Sequence, residues 1–298
     1  MALSGLDIYK LLPKTNCREC GFATCLAFAM QLAKKTVSID KCPYLGEEAK
    51  AALEASSLPP IKLVSLGTGD SKLELGNETV MFRHEEKFHR PCGLGFIIED
   101  NLKDAQIKER LEKISKLKFE SVGQKLEVNL VAVRQKSDNK RFMEAVKLVL
   151  NNTSLAVALM SNNPEALKEA LKISAPRIPL VYSVTKDNIT QVSELAKEFK
   201  VPLVVSAPDL ETLSTLSKEL SSKGVTDLVL DTGPKPIAEK TWDLTQIRRQ
   251  ALKKSNRSLG FPVLAIVENK DPYEEAQEVA TYISKYANII LIDRKSVV

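Results

Sequence analysis

Short runs of Val, Ile and Leu alternate with amphipathic stretches along most of the chain after residue 92. The runs are nearly continuous in apolar residues, which is typical of parallel strands with two buried faces. Eight runs are predicted as strands: 93–100, 126–134, 154–161, 178–184, 201–207, 226–233, 261–269 and 287–294. The stretches between them predict helices, as over 140–152, 163–174, 189–200 and 210–224.

Eight consecutive strand–helix units predict an α/β protein whose sheet closes into a (β/α)8 barrel over residues 93–298. An open, doubly wound sheet is the rival interpretation, because it has the same local pattern. No G-x-G-x-x-G motif follows the first predicted strand, which argues against a dinucleotide-binding sheet.

The first 92 residues have a different pattern. Residues 1–57 predict a small helical domain, with helices over 6–12, 25–35 and 44–55. Residues 58–92 are predicted as a linker and a hairpin, since SSLPP (56–60) breaks any helix. The stretches 61–67 and 78–86 alternate like strands, and we expect their hairpin to plug one end of the barrel.

Composition narrows the functional classes. Hydrophobic residues are 44% and charged residues 27% of the 298-residue chain, as in ordinary globular proteins. The net charge of +5 is spread over helix faces that also carry Asp and Glu, as over 103–116, which favours solvated surfaces over a nucleic-acid-binding stripe. The first ten residues lack the apolar core of a signal peptide, and no apolar run reaches membrane-spanning length. We therefore expect a cytoplasmic protein.

The most informative residues are Cys17, Cys20, Cys25 and Cys42, spaced C-x2-C-x4-C-x16-C. Tight cysteine spacing in a cytosolic chain indicates metal binding more often than disulfides. The short gaps suit three corners of an iron–sulfur cube, and Cys42 supplies the fourth. Cys25 lies at a predicted helix start, where backbone N–H groups favour an anionic group.

Two further features support a cluster. Gly21 allows the backbone to pass close to sulfide, and Pro43 after the last cysteine matches the Cys-Pro ending of bacterial ferredoxin runs. We predict that the four cysteines bind a [4Fe–4S] cluster that transfers electrons at low potential. The alternatives are structural zinc, which usually pairs two short cysteine knuckles, and unligated thiols. The fifth cysteine, Cys92, is predicted to be a buried core thiol.

The predicted strand ends form a polar rim, and active sites of (β/α)8 enzymes lie at such ends. The rim residues are Glu99, Asp100, Asn101, Arg134, Ser161, Asn162, Ser183, Thr185, Ser206, Asp231, Thr232, Glu268, Asn269, Asp293 and Arg294. They suit a polar ligand or partner, but strand ends that simply meet water are polar too. The rim has no histidine, and neither a P-loop nor a G-x-S-x-G motif occurs, so no catalytic residue is predicted.

Taken together, the cysteine motif and the barrel resemble the large (gamma) subunit of the corrinoid iron–sulfur protein. That family carries methyl groups in the acetyl-CoA synthase/decarbonylase (Wood–Ljungdahl) pathway of anaerobes. The resemblance extends over all 298 residues. Its most telling segments are GLDIYKLLPKTNCRECGFATCLAFAM, KCPYL, VMFRHEEKFH and DLTQIRRQALKKSNRSLGFPVLA.

The resemblance implies a heterodimer with a smaller barrel subunit and a corrinoid (cobalamin) cofactor. In the family, Co(I) takes a methyl group from methyltetrahydrofolate through a methyltransferase and delivers it to acetyl-CoA synthase/CO dehydrogenase. The [4Fe–4S] cluster, on cysteines matching Cys17, Cys20, Cys25 and Cys42, reduces Co(II) back to Co(I). The chain would then be a component of methyl transfer rather than a stand-alone catalyst.

One departure from the family pattern limits the transfer. Family members continue beyond the barrel into a C-terminal corrinoid-binding domain, whereas this sequence stops at DRKSVV, so we expect that domain to be absent. Two rival functions stay open. One is a ferredoxin-like module fused to a barrel with a separate enzymatic activity. The other is a structural subunit whose barrel mouth, the polar rim at the strand ends, binds a partner protein.

Overall fold

The computed structural model describes residues 4–34, 36–47, 49–50, 53, 59–82, 84–269 and 271–293. These residues belong to two compact units, the cysteine unit (1–60) and the barrel unit (61–298). Residues 48, 51, 52, 54 and 55 of the helix predicted over 44–55, and residues 56–58 of the SSLPP segment, lie outside the described residues.

In the cysteine unit, the described part contains helices α1 (Gly5–Leu11) and α2 (Cys25–Ala33). In the barrel unit, the described helices are α3 (Asp104–Lys116), α4 (Asn139–Asn152), α5 (Pro164–Ser174), α6 (Ile189–Phe199), α7 (Leu210–Ser222), α8 (Ile237–Lys253) and α9 (Pro272–Ser284). Its strands are β1 (Val64–Leu66), β2 (Leu73–Leu75), β3 (Gly93–Glu99), β4 (Lys118–Ser121), β5 (Gln124–Glu127), β6 (Leu130–Arg134), β7 (Ala156–Met160), β8 (Leu180–Val184), β9 (Leu203–Ser206), β10 (Leu228–Asp231), β11 (Leu264–Val267) and β12 (Ile289–Ile292).

Eight of these strands form one parallel sheet in the order β10-β9-β8-β7-β6-β3-β12-β11. Its two outer strands are joined through a parallel bridge between Leu230 and Val263, so the sheet is a nearly closed barrel. The N–H of Leu230 donates to the carbonyl of Pro262 over 2.8 Å at this junction. The predicted (β/α)8 fold is confirmed, and the open-sheet alternative is wrong because the two edges meet.

The apolar runs are continuous because each strand is buried on both faces. On β6, Leu130 and Ala132 point into the barrel, whereas Val131 and Val133 pack beneath the surrounding helices. All four are fully buried. A strand with this environment has no solvent-facing position at which a polar residue is favoured.

Four of the described barrel helices begin where a short polar side chain accepts a backbone N–H bond. Asp138, Asn163, Asp209 and Asp271 each cap a helix in this way. Such caps typically contribute about 1 kcal/mol each. Because each of these helices follows a barrel strand, the caps also shape the loops at the carboxyl ends of the strands.

A hairpin closes the opposite end of the barrel. Val64 and Leu66 of β1 and Leu73 and Leu75 of β2 pack into the cluster formed by the barrel interior. The second strand differs from the prediction, because it lies at Leu73–Leu75 instead of 78–86. The predicted strand 126–134 is also divided, since its first residues pair with Lys118–Ser121 in an exposed hairpin.

The segment after the hairpin, 76–90, is held by a buried arginine of α8. The Arg248 guanidinium pairs with the Glu78 carboxylate and donates to the Val80 carbonyl. It also lies 4.5 Å from the ring centres of both Phe88 and Tyr286. The described residues of 78–86 form no strand beyond an isolated bridge between Glu78 and Ile61, and the Glu78 carboxylate and the Val80 carbonyl bind an arginine distant in sequence instead.

A substitution at Gly67, the residue that follows β1, tests how closely the hairpin packs. It has a φ of +76°, and a Cβ atom there would overlap the carbonyl oxygen of Ser71. We expect Gly67→Ala to destabilise the barrel unit in urea by roughly 1–3 kcal/mol more than Gly69→Ala. Gly69 is the matched control, because it also has a positive φ (+57°) but open space around its Cβ position. Equal unfolding free energies for the two variants would contradict this packing.

Within the described ranges, no helix combines the length and the apolar character that crossing a bilayer requires.

Candidate functional site

The thiols of the cysteine unit lie around the start of α2. Cys25 is the first residue of α2 and is buried against Ile8 and Phe28 in the small core of this unit. Cys20 and Cys42 are half-buried and pack against the same core, whereas Cys17 is exposed. The hydroxyl of Thr24 caps the helix by accepting the Ala27 N–H over 3.1 Å.

The loop before α2 contains several residues with positive φ. Lys14, Asn16, Arg18 and Gly21 have φ angles of 60°, 50°, 68° and 84°. Left-handed residues placed this densely turn the chain back on itself within a few residues. Gly21 lies between Cys20 and Cys25 in the sequence. No heavy atom lies within 4 Å of the position that a Cβ atom would take there, so the backbone borders open space at this residue.

The Cys42 thiol is close enough to the other three cysteines to respond to their charge. Burial raises the pKa of Cys42, the backbone N–H of Tyr44 opposes this shift, and the thiols of Cys20, Cys17 and Cys25 raise the pKa further. Thiolates that disfavour one another in this way are stabilised when a cationic metal centre binds them.

The donor set therefore fits an iron–sulfur cluster in residue type, number and loop shape. In the described part of the chain, no three or more His, Cys, Asp or Glu side chains converge on one point as ligands of a single ion would. A cubane cluster instead binds each cysteine sulfur through a different iron atom.

The barrel unit has its own candidate site at the carboxyl ends of the strands, a cavity of about 640 Å³. Such a volume is in the range of small-molecule pockets. Its lining includes the predicted rim residues Arg134, Ser161, Asn162, Asp231, Glu268 and Asn269. It also includes residues that were not predicted, among them Gln135, Tyr182, Lys235, Lys240, Glu278 and Tyr282.

A buried ion pair forms the floor of this cavity. The Lys240 ammonium donates to Asp231 Oδ1 over 2.8 Å, and the two side chains are 2% and 1% exposed. Asp231 also accepts bonds from the Tyr182 hydroxyl at 2.8 Å and from the Gly233 N–H at 3.0 Å. Burial, followed by the Asp231 charge, raises the pKa of Tyr182, so its phenol stays protonated and donates.

Arg134 forms the second charged group of the mouth. Its guanidinium donates to Asp293 and Glu268, each over 2.8 Å. This bond pattern links strands β6, β11 and β12 across the barrel opening. The predicted rim residue Asp100 has a structural role instead, since its carboxylate accepts the backbone N–H groups of Lys136 and Ser137. Arg294 lies outside the described residues.

The remaining residues singled out by sequence belong to the barrel unit and do not line its cavity. Cys92 packs against the barrel core, and burial raises the pKa of its thiol to about 12. His84 stacks on Phe82, and His89 contacts the Glu86 carboxylate at 3.1 Å.

Tyr182 and Lys240 were missed because their neighbours in sequence are apolar or helical, and only the closed barrel brings them to Asp231.

Two family models match the chain. Residues 63–297 match CdhD, described as the CO dehydrogenase/acetyl-CoA synthase delta subunit. Residues 12–44, which contain all four clustered cysteines, match FeS, a model for Fe–S cluster segments.

Curated relatives match across both units. The corrinoid/iron-sulfur protein large subunit of Moorella thermoacetica is 41% identical, covering 98% of this chain and 66% of that protein. The acetyl-CoA decarbonylase/synthase complex subunit gamma of Methanocaldococcus jannaschii is 38% identical, covering 90% and 56%. That of Methanothermobacter thermautotrophicus is 32% identical, covering 98% and 67%. The chain thus spans 56–67% of the length of these curated relatives.

Solved structures agree on the barrel. Dihydropteroate synthase (FolP) of Thermus thermophilus superimposes with a TM-score of 0.51 at 17% identity, covering 77% of this chain and 93% of that one. Yersinia pestis dihydropteroate synthase with a pterine-sulfa conjugate gives 0.50 at 14% identity, covering 68% and 86%. At such low identities the likeness concerns the fold alone. By the matches over both of its units, the chain belongs to the family of corrinoid/iron–sulfur protein large subunits, the gamma subunits of acetyl-CoA decarbonylase/synthase.

Proposed function

We propose that Cys17, Cys20, Cys25 and Cys42 bind one [4Fe–4S] cluster and that the chain supplies the electron-transfer part of a corrinoid methyl carrier. The observation that carries this proposal is the gathering of four thiols around the N-terminus of α2. The FeS match over residues 12–44 and the large-subunit relatives support it.

The residues of the loop have separate tasks in this proposal. The four thiolates hold the metal, and the left-handed turns from Lys14 to Gly21 wrap the chain around it. The N-terminal N–H groups of α2 favour the anionic centre beside Cys25. The apolar core under Cys25, Cys20 and Cys42 excludes water from one side of the site.

When bound, the cluster would pass single electrons from an external reductant to Co(II) of a corrinoid, which gives Co(I) ready for methylation. Iron–sulfur potentials extend down to about −700 mV, so such a centre can reach the potential that this reduction needs. The corrinoid would belong to the complete protein, since this chain spans only part of its relatives. Methyltetrahydrofolate, through its methyltransferase, would supply the methyl group that the carrier brings to acetyl-CoA synthase/CO dehydrogenase.

Oxygen-free purification with iron, sulfide and zinc analysis tests the cluster. We expect about four iron and four acid-labile sulfide per chain and an EPR signal on reduction, as a [4Fe–4S] centre requires. About one zinc without sulfide would contradict the proposal. We further propose that the chain pairs with a smaller barrel subunit, and we expect the two to co-purify.

The barrel mouth supports a second candidate function, binding of a small polar ligand. Its basis is the cavity with the buried Asp231–Lys240 pair on its floor, because ionisable groups buried in a cleft often mark binding sites. In crystals soaked with malonate or glucose, we expect ligand density between Asp231 and Asn269 if this function is present. An empty mouth in protein that co-purifies with the small subunit would favour a docking role and contradict ligand binding.

A further inference from the structure

Asn16 and Cys25 bond to each other in both directions across the cysteine loop. The side-chain oxygen of Asn16 accepts the backbone N–H of Cys25 over 2.8 Å. The backbone N–H of Asn16 donates to Cys25 Sγ over 3.4 Å. The amide side chain and the main chain of one residue thus hold both the backbone and the sulfur of another, nine positions away.

This arrangement needs the properties of asparagine. Asn16 has a φ of +50°, a left-handed conformation that asparagine adopts more readily than most residues. Its side chain is short enough to reach the first N–H of α2, which has no partner within the helix. The side-chain bond therefore holds the loop in the one conformation that directs the Asn16 N–H at the sulfur.

We propose that Asn16 is a positioning residue that orients Cys25 and supplies an N–H···S hydrogen bond to the metal centre. This inference rests on the proposed function, since it assumes that Cys25 Sγ binds iron. Hydrogen bonds to cluster sulfurs are among the features that set reduction potentials. A reduced cluster carries one more negative charge, so the Asn16 N–H stabilises the reduced state more than the oxidised state and raises the potential.

Redox titration of the full chain, monitored by EPR, tests the role of Asn16. We expect Asn16→Ala to retain its iron but to have a lower midpoint potential, because it loses the bond that orders the loop. The expected change is tenfold in the one-electron equilibrium constant, which corresponds to about 59 mV. An iron-loaded Asn16→Ala protein with the wild-type potential and EPR spectrum would overturn the inference.

Thr15→Ala is the matched control. Thr15 is the adjacent residue on the same loop, is exposed, and has no hydrogen bond to the described residues. It is also uncharged, so its replacement leaves the net charge near the site unchanged. We expect a wild-type potential for this variant, and a shift equal to that of Asn16→Ala would attribute the effect to the loop in general and overturn the inference.

Asn16→Asp covers the case in which the alanine variant fails to assemble a cluster. Aspartate retains an oxygen at the position that accepts the Cys25 N–H. Iron loading of Asn16→Asp together with loss of iron in Asn16→Ala supports the positioning role. Loss of iron in both variants overturns it, because a retained acceptor should then have rescued assembly. Absence of iron and sulfide from the wild-type chain would instead refute the proposed function itself, which separates the two failures.

Discussion

Cys20→Ala is expected to abolish the [4Fe–4S] centre and, in the assembled carrier, the reduction of Co(II). A cubane cluster on this loop has four thiolate ligands, and α2 and its core fix the positions of the neighbouring sulfurs. We expect iron to fall from about four to at most about three atoms per chain, with loss of the reduced EPR signal. Reactivation by an external reductant should become undetectable.

The matched control for this prediction is Cys92→Ala. Cys92 is the one cysteine outside the motif, and its thiol packs against the barrel core. We expect this variant to retain its iron, sulfide and reactivation rate. The barrel unit has its own core, so Cys20→Ala should leave barrel unfolding unchanged. Normal reactivation by Cys20→Ala would show that the cysteine assignment is wrong.

Lys240→Met is expected to destabilise the barrel unit by roughly 3–5 kcal/mol, the usual effect of leaving one charge of a buried pair unpaired. The Asp231 carboxylate would retain the bonds from Tyr182 and the Gly233 N–H but would lose its only cationic partner among the described residues. Urea denaturation measures the loss as a lower midpoint at unchanged slope.

Two further variants distinguish the effect of a buried unpaired charge from the loss of an ion pair in general. Asp231→Asn combined with Lys240→Met removes both charges while retaining an oxygen for the Tyr182 hydroxyl, so we expect it to recover most of the lost stability. Lys172→Met removes the cation of an exposed pair with Glu169 and should cost less than about 1 kcal/mol. If the single and double variants at the mouth were equally unstable, the pair would not behave as a buried charge pair.

The barrel could be predicted from sequence because burial on both faces determines the residue types along each strand. Strands such as β7 and β12 lie inside their predicted ranges and are shorter by a few residues at their ends. The hairpin was only half predictable. Alternation over 78–86 suggested a strand, but Glu78 and Phe88 are placed by Arg248, which follows them by 170 and 160 residues.

Some residues of the candidate sites could be identified from the sequence, whereas others could be identified only from their contacts in the structure. The four-cysteine motif is visible in sequence because its spacing is short and cysteine is rare in the chain. Asn16 looked like an ordinary loop residue, and nothing near Lys240 in sequence indicates that its ammonium is buried. The roles of Asn16 and Lys240 depend on the path of the backbone, and the sequence pattern does not show that path.

By itself, the amino-acid sequence determined the succession of strands and helices, the division between a cysteine-rich segment and a barrel, and the candidate metal ligands. These follow from local spacing and from hydrophobic periodicity. Only the tertiary structure decided that Tyr182 and Lys240 meet Asp231, that Arg248 anchors the 76–90 segment, and that Asn16 bonds to Cys25. Each of these pairings joins groups separated along the chain, and their positions depend on how the surrounding elements pack.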